Sequence, residues 1–256
     1  MIGARVVAFG FLTLTTLPLA TFGQARADKS GAAPAENLAP TVSVHELQIP
    51  EKAREAYNKG IQRFAQKDWA GSIIEFQRAI AAYHDFYEAY YKIGLANLEL
   101  RLSANAEAAF RKSMELSEAH FAPALFGLGL TLGNDKQFDD ALAFIRAGLR
   151  LDPTSARGNF TLAWVLYTAD RIAEAEKSAR QAVLYSPDFA MAHLLLAQIH
   201  RRQNKAAAMV EDLDTYLRLD PDGPRSAGVK AVRDEATRAL GRDPESVEIV
   251  AAGGQQ

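Results

Sequence analysis

A pattern of small and apolar residues returns about every 34 residues between Ala53 and Gly223, and it limits the chain to stacked copies of one unit. The unit is clearest from Ala122 to Ser155. Leu125, Leu128, Gly129 and Leu132 share one helical face, and Ala141, Ile145, Gly148 and Leu149 share another. The polar run Gly133-Asn-Asp-Lys-Gln joins them, and Pro153 ends the second helix because it has no amide to continue it. The eighth position of successive units reads Gly60, Gly94, Gly129, Ala163 and Ala197, small where two helix backbones approach. The small column of the second helix reads Ser72, Ala106, Ala141 and Ala175, with Met209 departing. Four residues later stand the knobs Phe76, Phe110, Ile145, Ala179 and Leu213, and the units close on His84, Glu118, Pro153, Pro187 and Pro221. A lone hairpin cannot bury its apolar side, so the copies must pack on one another.

These columns resemble the tetratricopeptide repeat family. The likeness spans five units, 53–86, 87–120, 122–155, 156–189 and 190–223, with one spare residue near Phe121. The first two units lack the closing proline, and the last two carry alanine in the glycine column. The resemblance implies an all-α, right-handed superhelical α-solenoid of helix-turn-helix repeats. A final helix, Pro224 to Leu240, follows as a cap. It sets Val229, Val232, Ala236 and Leu240 on a packing side and Arg225, Lys230, Arg233, Asp234, Glu235 and Arg238 on a wet side, as the end of a solenoid requires. Gly241 stops it, and the tail 242–256 reads as loose apart from Val247-Glu248-Ile249-Val250.

The chain opens with Arg5 ahead of an apolar run, Val6 to Gly23, and then Ala25-Arg26-Ala27, the small-x-small pattern of signal-peptidase cleavage. Residues 1–27 are therefore expected to be an export signal cleaved after Ala27, placing the mature protein in the periplasm or outside. The alternative is an uncleaved anchor, the one route to a membrane, because the run is just long enough to span a bilayer. With no cysteine, neither lipid attachment at Cys nor a disulfide framework is available, and residues 1–27 hold no twin-arginine pair. Residues 28–41 are rich in Ala and Pro and read as a tether. Val42 to Ile49 alternates apolar and polar residues, which predicts extended backbone, and Pro50 opens the first helix.

Cleavage would remove Arg5 and Arg26 and no acid, moving the formal charge from −2 to −4. A mildly acidic chain without a basic block is not built for nucleic acid, where neutralising phosphates dominates affinity. No GxSxG, P-loop, GxGxxG in strand-to-helix context or HExxH is present. His45 precedes the repeats, His84 and His120 fall at junctions, and His193 and His200 lie in packing columns two turns apart, too far for one metal without a third ligand. Glu75, Glu107, Asp139 and Asp140 are expected on solvated faces. The expectation is a chain with no catalytic, metal or cofactor site.

Function is therefore expected on a surface. The resemblance implies that the first helix of each unit lines a concave wall through positions 2, 5, 9, 12 and 13. Position 5 reads Tyr57, Tyr91, Phe126, Phe160 and Leu194, and position 9 reads Ile61, Leu95, Leu130, Trp164 and Gln198. Position 12 adds Phe64, Leu98 and Tyr167. Many peptide-binding relatives carry Asn at position 9, and dicarboxylate-clamp relatives carry Lys, Asn and Arg in these columns; this chain departs from both. An apolar, aromatic groove is expected, with Phe160, Trp164 and Tyr167 as a wall flanked by Phe126 and Leu130. Arg201 and Arg202 stand at its last end as candidates to pair with an acidic group, or as a solvated corner with Lys205.

An exposed apolar strip of a few hundred Å² favours a cover by several kcal/mol before association entropy, at roughly 25 cal/mol per Å². Candidate covers are a partner's peptide or amphipathic helix and the chain's own Val42–Ile49. Three readings follow: a non-catalytic protein–protein scaffold of the cell envelope; a carbohydrate or lipid binder stacking its ligand on Phe160, Trp164 and Tyr167; and an assembly module with the strip buried in a homodimer.

Overall fold

The computed structural model describes residue 45 and residues 48–241. Among these, eleven α-helices follow one another without a strand. They are α1 Glu51–Ala65, α2 Trp69–Ala82, α3 Tyr87–Glu99, α4 Ser103–Leu116, α5 Ala122–Asn134, α6 Phe138–Leu151, α7 Ala156–Thr168, α8 Ile172–Tyr185, α9 Ala190–Arg202, α10 Ala206–Leu219 and α11 Ser226–Ala239. Helices α1 to α10 form five antiparallel hairpins, each packed on the next, and α3, α5, α7 and α9 also touch in succession as an inner layer. The fold is an all-α helical repeat solenoid. No described helix is long and apolar enough to cross a membrane.

Every hairpin is closed by the same backbone device, although no glycine marks it. Lys67, Arg101, Lys136, Asp170 and Asn204 each sit two residues past the end of the first helix with φ between 58° and 63°. The following amide reaches back to the helix: Asp68 N–H donates to the Arg63 carbonyl at 2.9 Å, Leu102 to Asn97 at 2.9 Å, Gln137 to Leu132 at 2.9 Å, Arg171 to Leu166 at 2.8 Å and Lys205 to His200 at 2.9 Å. This is the Schellman arrangement, which satisfies the last carbonyls and reverses the chain.

The spare residue near Phe121 has a structural explanation. Helices α2, α6, α8 and α10 end on residues with φ between −149° and −132°. Helix α4 instead runs into Glu118 and Ala119 at φ 49° and 58°, with Ala119 N–H donating to the Met114 carbonyl at 2.8 Å. The extra residue is absorbed in that left-handed turn, so the third hairpin still stacks on the second.

The core lies between the layers and is built of rings fitted into glycines. A Cβ at Gly94 or Gly127 would stand 2.5 Å from Phe110 Cε1, so Phe110 occupies the space that two neighbouring helices leave by lacking side chains. Such packing tolerates little change of volume.

Both ends of the solenoid differ from expectation. His45 and Gln48 are helical, where alternation predicted extended backbone; the rest of residues 42–47 lies outside the described residues, as do the expected signal, tether and tail. Ile49 is buried, its carbonyl accepts from Arg54 Nε at 3.0 Å, and the His45 ring stacks on Tyr87 at 4.4 Å between centroids. Tertiary contact overrides the period-two pattern there. In α11, Val229 and Ala236 are fully buried and Val232 is half-buried, but Leu240 is exposed. Arg233, expected on the wet side, is only 8% exposed and pairs with Asp214 Oδ1 at 3.2 Å, while Lys230, Glu235 and Arg238 do face water. The packing stripe is rotated toward Arg233 because α10 presents a carboxylate there.

Candidate partner-binding surface

The inner columns do not form one open strip. Tyr91, Leu95, Leu98, Phe126, Leu130, Phe160 and Leu194 are all buried, Leu130 to 1% exposure. Position 5 is a knob between units. A Cβ at Gly148 or Gly158 would meet the Phe126 ring at 2.5 and 2.4 Å, which seats that ring between α6 and α7. Tyr91 lies 5.9 Å from Phe110 and 5.4 Å from Phe121, and Phe160 lies 5.0 Å from Phe189, between ring centroids. Tyr57 is half-buried, stacked on Phe86 at 4.9 Å, and burial beside Glu88 pushes its phenol up. Phe64 meets Trp69 edge-on at 4.7 Å inside the first hairpin, and Ile61 is half-buried. The wet groove is thus corrected to a closed inner layer. Where α3, α5, α7 and α9 approach in succession, Leu95, Leu130 and Gln198 of the ninth column are buried, while Trp164 is not.

Apart from Tyr57 and Ile61 on α1, what stays accessible of the expected groove lies on α7 and α9. Trp164 and Tyr167 are half-buried, one turn apart on α7, and their rings stack at 6.1 Å. Trp164 Nε1 donates to Asn134 Oδ1 of α5 at 3.4 Å. The Arg202 guanidinium covers the outer Tyr167 ring at 5.4 Å and is itself held by Asp170 Oδ1 at 2.7 Å. Arg201 is half-buried and Arg202 exposed. So of the fourteen groove residues read from the sequence, Tyr57, Ile61, Trp164, Tyr167 and Arg201 are half-buried and Arg202 is exposed, while the other eight are buried and hold the repeats together.

Further polar residues on the inner layer carried no signal of their own in the sequence. Lys92 is half-buried on α3, its amino group 5.7 Å from the centroid of Tyr91, and burial followed by the charge of Arg157 pushes its pKa down. Arg157, from the first turn of α7, hydrogen-bonds the Tyr91 phenol. Burial holds the Glu99 carboxyl up at about 7, with Lys67 opposing.

Behind this surface a buried polar cluster ties the fourth unit to the fifth. His200 is 4% exposed; its Nδ1 lies 2.7 Å from Asp212 Oδ2, and its Nε2 lies 3.5 Å from Glu176 Oε1. Burial would raise the Glu176 carboxyl, but hydrogen bonds from Arg180, Gln203 and Lys205 outweigh it and bring it down to about 2. His193, also buried, has Nε2 3.0 Å from the Pro187 carbonyl oxygen. Among the described residues, no three side chains of the metal-ligating types converge on a point that would hold an ion. Glu75, expected in water, is 5% exposed and held by Arg78 Nη1 at 2.8 Å, whereas Asp139 and Asp140 are exposed.

Sequence models described as tetratricopeptide repeat match residues 87–120, 122–155 and 160–224, more than half of the chain. The chain belongs to the tetratricopeptide repeat family. Other tetratricopeptide repeat proteins share its fold at low identity. A thermophilic example from Thermus thermophilus superposes with a TM-score of 0.64 at 16% identity, covering 72% of this chain and 98% of that one. PilW, a widely conserved type IV pilus biogenesis factor, superposes with a TM-score of 0.66 at 14% identity, covering 79% and 92%. Among curated proteins, anaphase-promoting complex subunit 3 of Schizosaccharomyces pombe is 24% identical over 68% of this chain, and tetratricopeptide repeat protein 16 of Mus musculus is 24% identical over 75%. The matched region spans about a quarter of those relatives, 26% of each.

Proposed function

We propose that this tetratricopeptide repeat chain is a non-catalytic protein–protein interaction scaffold of the cell envelope, holding a segment of a partner on the inner side of α7 and α9. The observation that carries the reading is the Trp164–Tyr167 pair, stacked at 6.1 Å and left half-exposed where the neighbouring inner columns are closed. Asn134 and Arg202 contact the two rings from the flanking units, so both rings are partly held before anything binds. Rigid aromatics flanked by arginine have the composition of binding hot spots, because they bury large area with little entropy lost. Export rests on the signal-like residues 1–27.

Co-purification from the native envelope fraction with wild type and Trp164→Ala tests the reading. Loss of retained proteins in a variant that keeps its helical content supports it. An unchanged set overturns it.

A further inference from the structure

We propose that Tyr83, Tyr87 and Glu88 form a recognition cleft for a basic side chain of a partner segment, arginine above lysine, and that the chain's own His45 fills this cleft until such a segment arrives. The cleft lies at the start of the second unit, apart from the rings of α7, so it is a second surface and stands or falls by itself.

The cleft is built where α2 hands the chain to α3. Tyr83 follows the last residue of α2, and Tyr87 and Glu88 are the first two residues of α3. Phe86 supports the Tyr83 ring at 6.1 Å, and Phe121, just ahead of α5, supports Tyr87 at 5.1 Å, between centroids. Tyr83, Tyr87 and Glu88 all keep partial access to water. Asp85, exposed in the turn between the helices, adds a second negative charge.

The occupant shows what the cleft accepts. His45 precedes the first helix, yet its ring stacks on Tyr87 at 4.4 Å with 24° between the planes and meets Tyr83 at 5.8 Å. The same ring sets Nε2 3.1 Å from Glu88 Oε2. Two tyrosine faces and a carboxylate thus converge on one flat, nitrogen-bearing group, a combination that favours a cation. A guanidinium suits it best, because it stacks flat on a ring and still presents paired donors to a carboxylate.

His45 is held loosely enough to exchange. The side chains of His45 and Glu88 are 22% and 26% exposed, and a polar pair so open to water contributes little. Ile49, by contrast, is buried, and its carbonyl accepts from Arg54 Nε at 3.0 Å. Ile49 therefore anchors the segment when the ring leaves. The departed ring stays nearby as a competitor at an effective concentration of about millimolar, which an incoming side chain must overcome.

The test uses the full chain carrying carbon-13 tyrosine and two twelve-residue Gly-Ser peptides, one with Arg and one with Glu at its centre. Tyr185, exposed at the end of α8, is the internal control among the ring signals. The Arg peptide is expected to shift Tyr83 and Tyr87 and to bind His45→Ala about tenfold more tightly than wild type, since the resident competitor is gone. His45→Phe also loses the bond to Glu88 but keeps a ring on Tyr87, so it is expected to bind no more tightly than wild type. That pair of variants separates an emptied cleft from a merely loosened chain. Adding Glu88→Gln to His45→Ala is expected to bring the Arg and Glu peptides within about twofold, because the charge that tells them apart is removed. The proposal is overturned if His45→Ala binds no better than wild type, if His45→Phe binds as well as His45→Ala, or if the preference for Arg survives Glu88→Gln. Shifts at Tyr185 without shifts at Tyr83 and Tyr87, or no binding at all, overturn it too.

Discussion

Arg202 lies over the Tyr167 ring at 5.4 Å while its guanidinium is tied to Asp170 at 2.7 Å, so one residue of the fifth unit locks both a ring and the turn of the fourth. The planar guanidinium can stack and pair at once, which an ammonium cannot. Arg202→Lys is therefore expected to lower partner retention several-fold while changing stability by no more than about 1 kcal/mol, since both contacts are at the surface. Retention assays beside thermal unfolding check this.

Phe126 and Trp164 were read as neighbours in one groove, and the structure separates their roles. Phe126→Ala is expected to cost about 3–5 kcal/mol, because the ring fills the space left by Gly148 and Gly158. Trp164→Ala, at a half-exposed site, is expected to cost about 1–2 kcal/mol. Urea unfolding of the two variants should rank them in that order.

The hairpin turns carry a cost that glycine would remove. Lys136 is held at φ 63°, a left-handed conformation that costs a residue with a side chain about 1–2 kcal/mol. Lys136→Gly is expected to stabilise the chain by about 0.5–1 kcal/mol after the entropy of the unfolded glycine is counted. A rise of a few degrees in Tm is the readout.

Glu176 makes the fourth-to-fifth junction sensitive to acid. Its carboxyl is held at about 2, below the ordinary 4.5. A depressed carboxylate contributes stability that is complete above pH 4.5 and is lost as pH falls toward 2. Allowing for solvent screening, the loss is about 1–2 kcal/mol. Glu176→Gln should flatten that part of the stability–pH curve measured by urea unfolding.

Glu99 acts with the opposite sign. Burial holds it at about 7, so the folded chain prefers it protonated, and stability declines as pH rises from the ordinary 4.5 through 7. Glu99→Gln is expected to stabilise the chain at pH 8 by about 1 kcal/mol, discounted for partial exposure, and to have little effect at pH 4. Unfolding at the two pH values distinguishes this from a uniform gain.

The repeat was legible because its signals are local. The glycine at 94 and the ring at 110 lie on the two helices of one hairpin, and their sizes must match whatever surrounds them. The candidate surface was only partly legible. Trp164, Tyr167, Arg201 and Arg202 were named from column positions, yet the same columns also yielded Leu95, Leu98 and Leu130, which the structure buries. Column position states which way a side chain leaves its own helix. It says nothing of how closely the next helix approaches. The Arg157 hydrogen bond to Tyr91 was missed for a related reason: one residue belongs to the fourth unit and the other to the second.

From the order of its residues alone this chain was bound to pair amphipathic helices and stack the pairs, because the small column, the knob column and the polar turns recur at one period and a lone pair leaves its apolar side wet. The tertiary structure decided which inner residues stay open and which acids are buried. Those depend on distances between helices far apart in the chain, set by the summed packing of every unit between them.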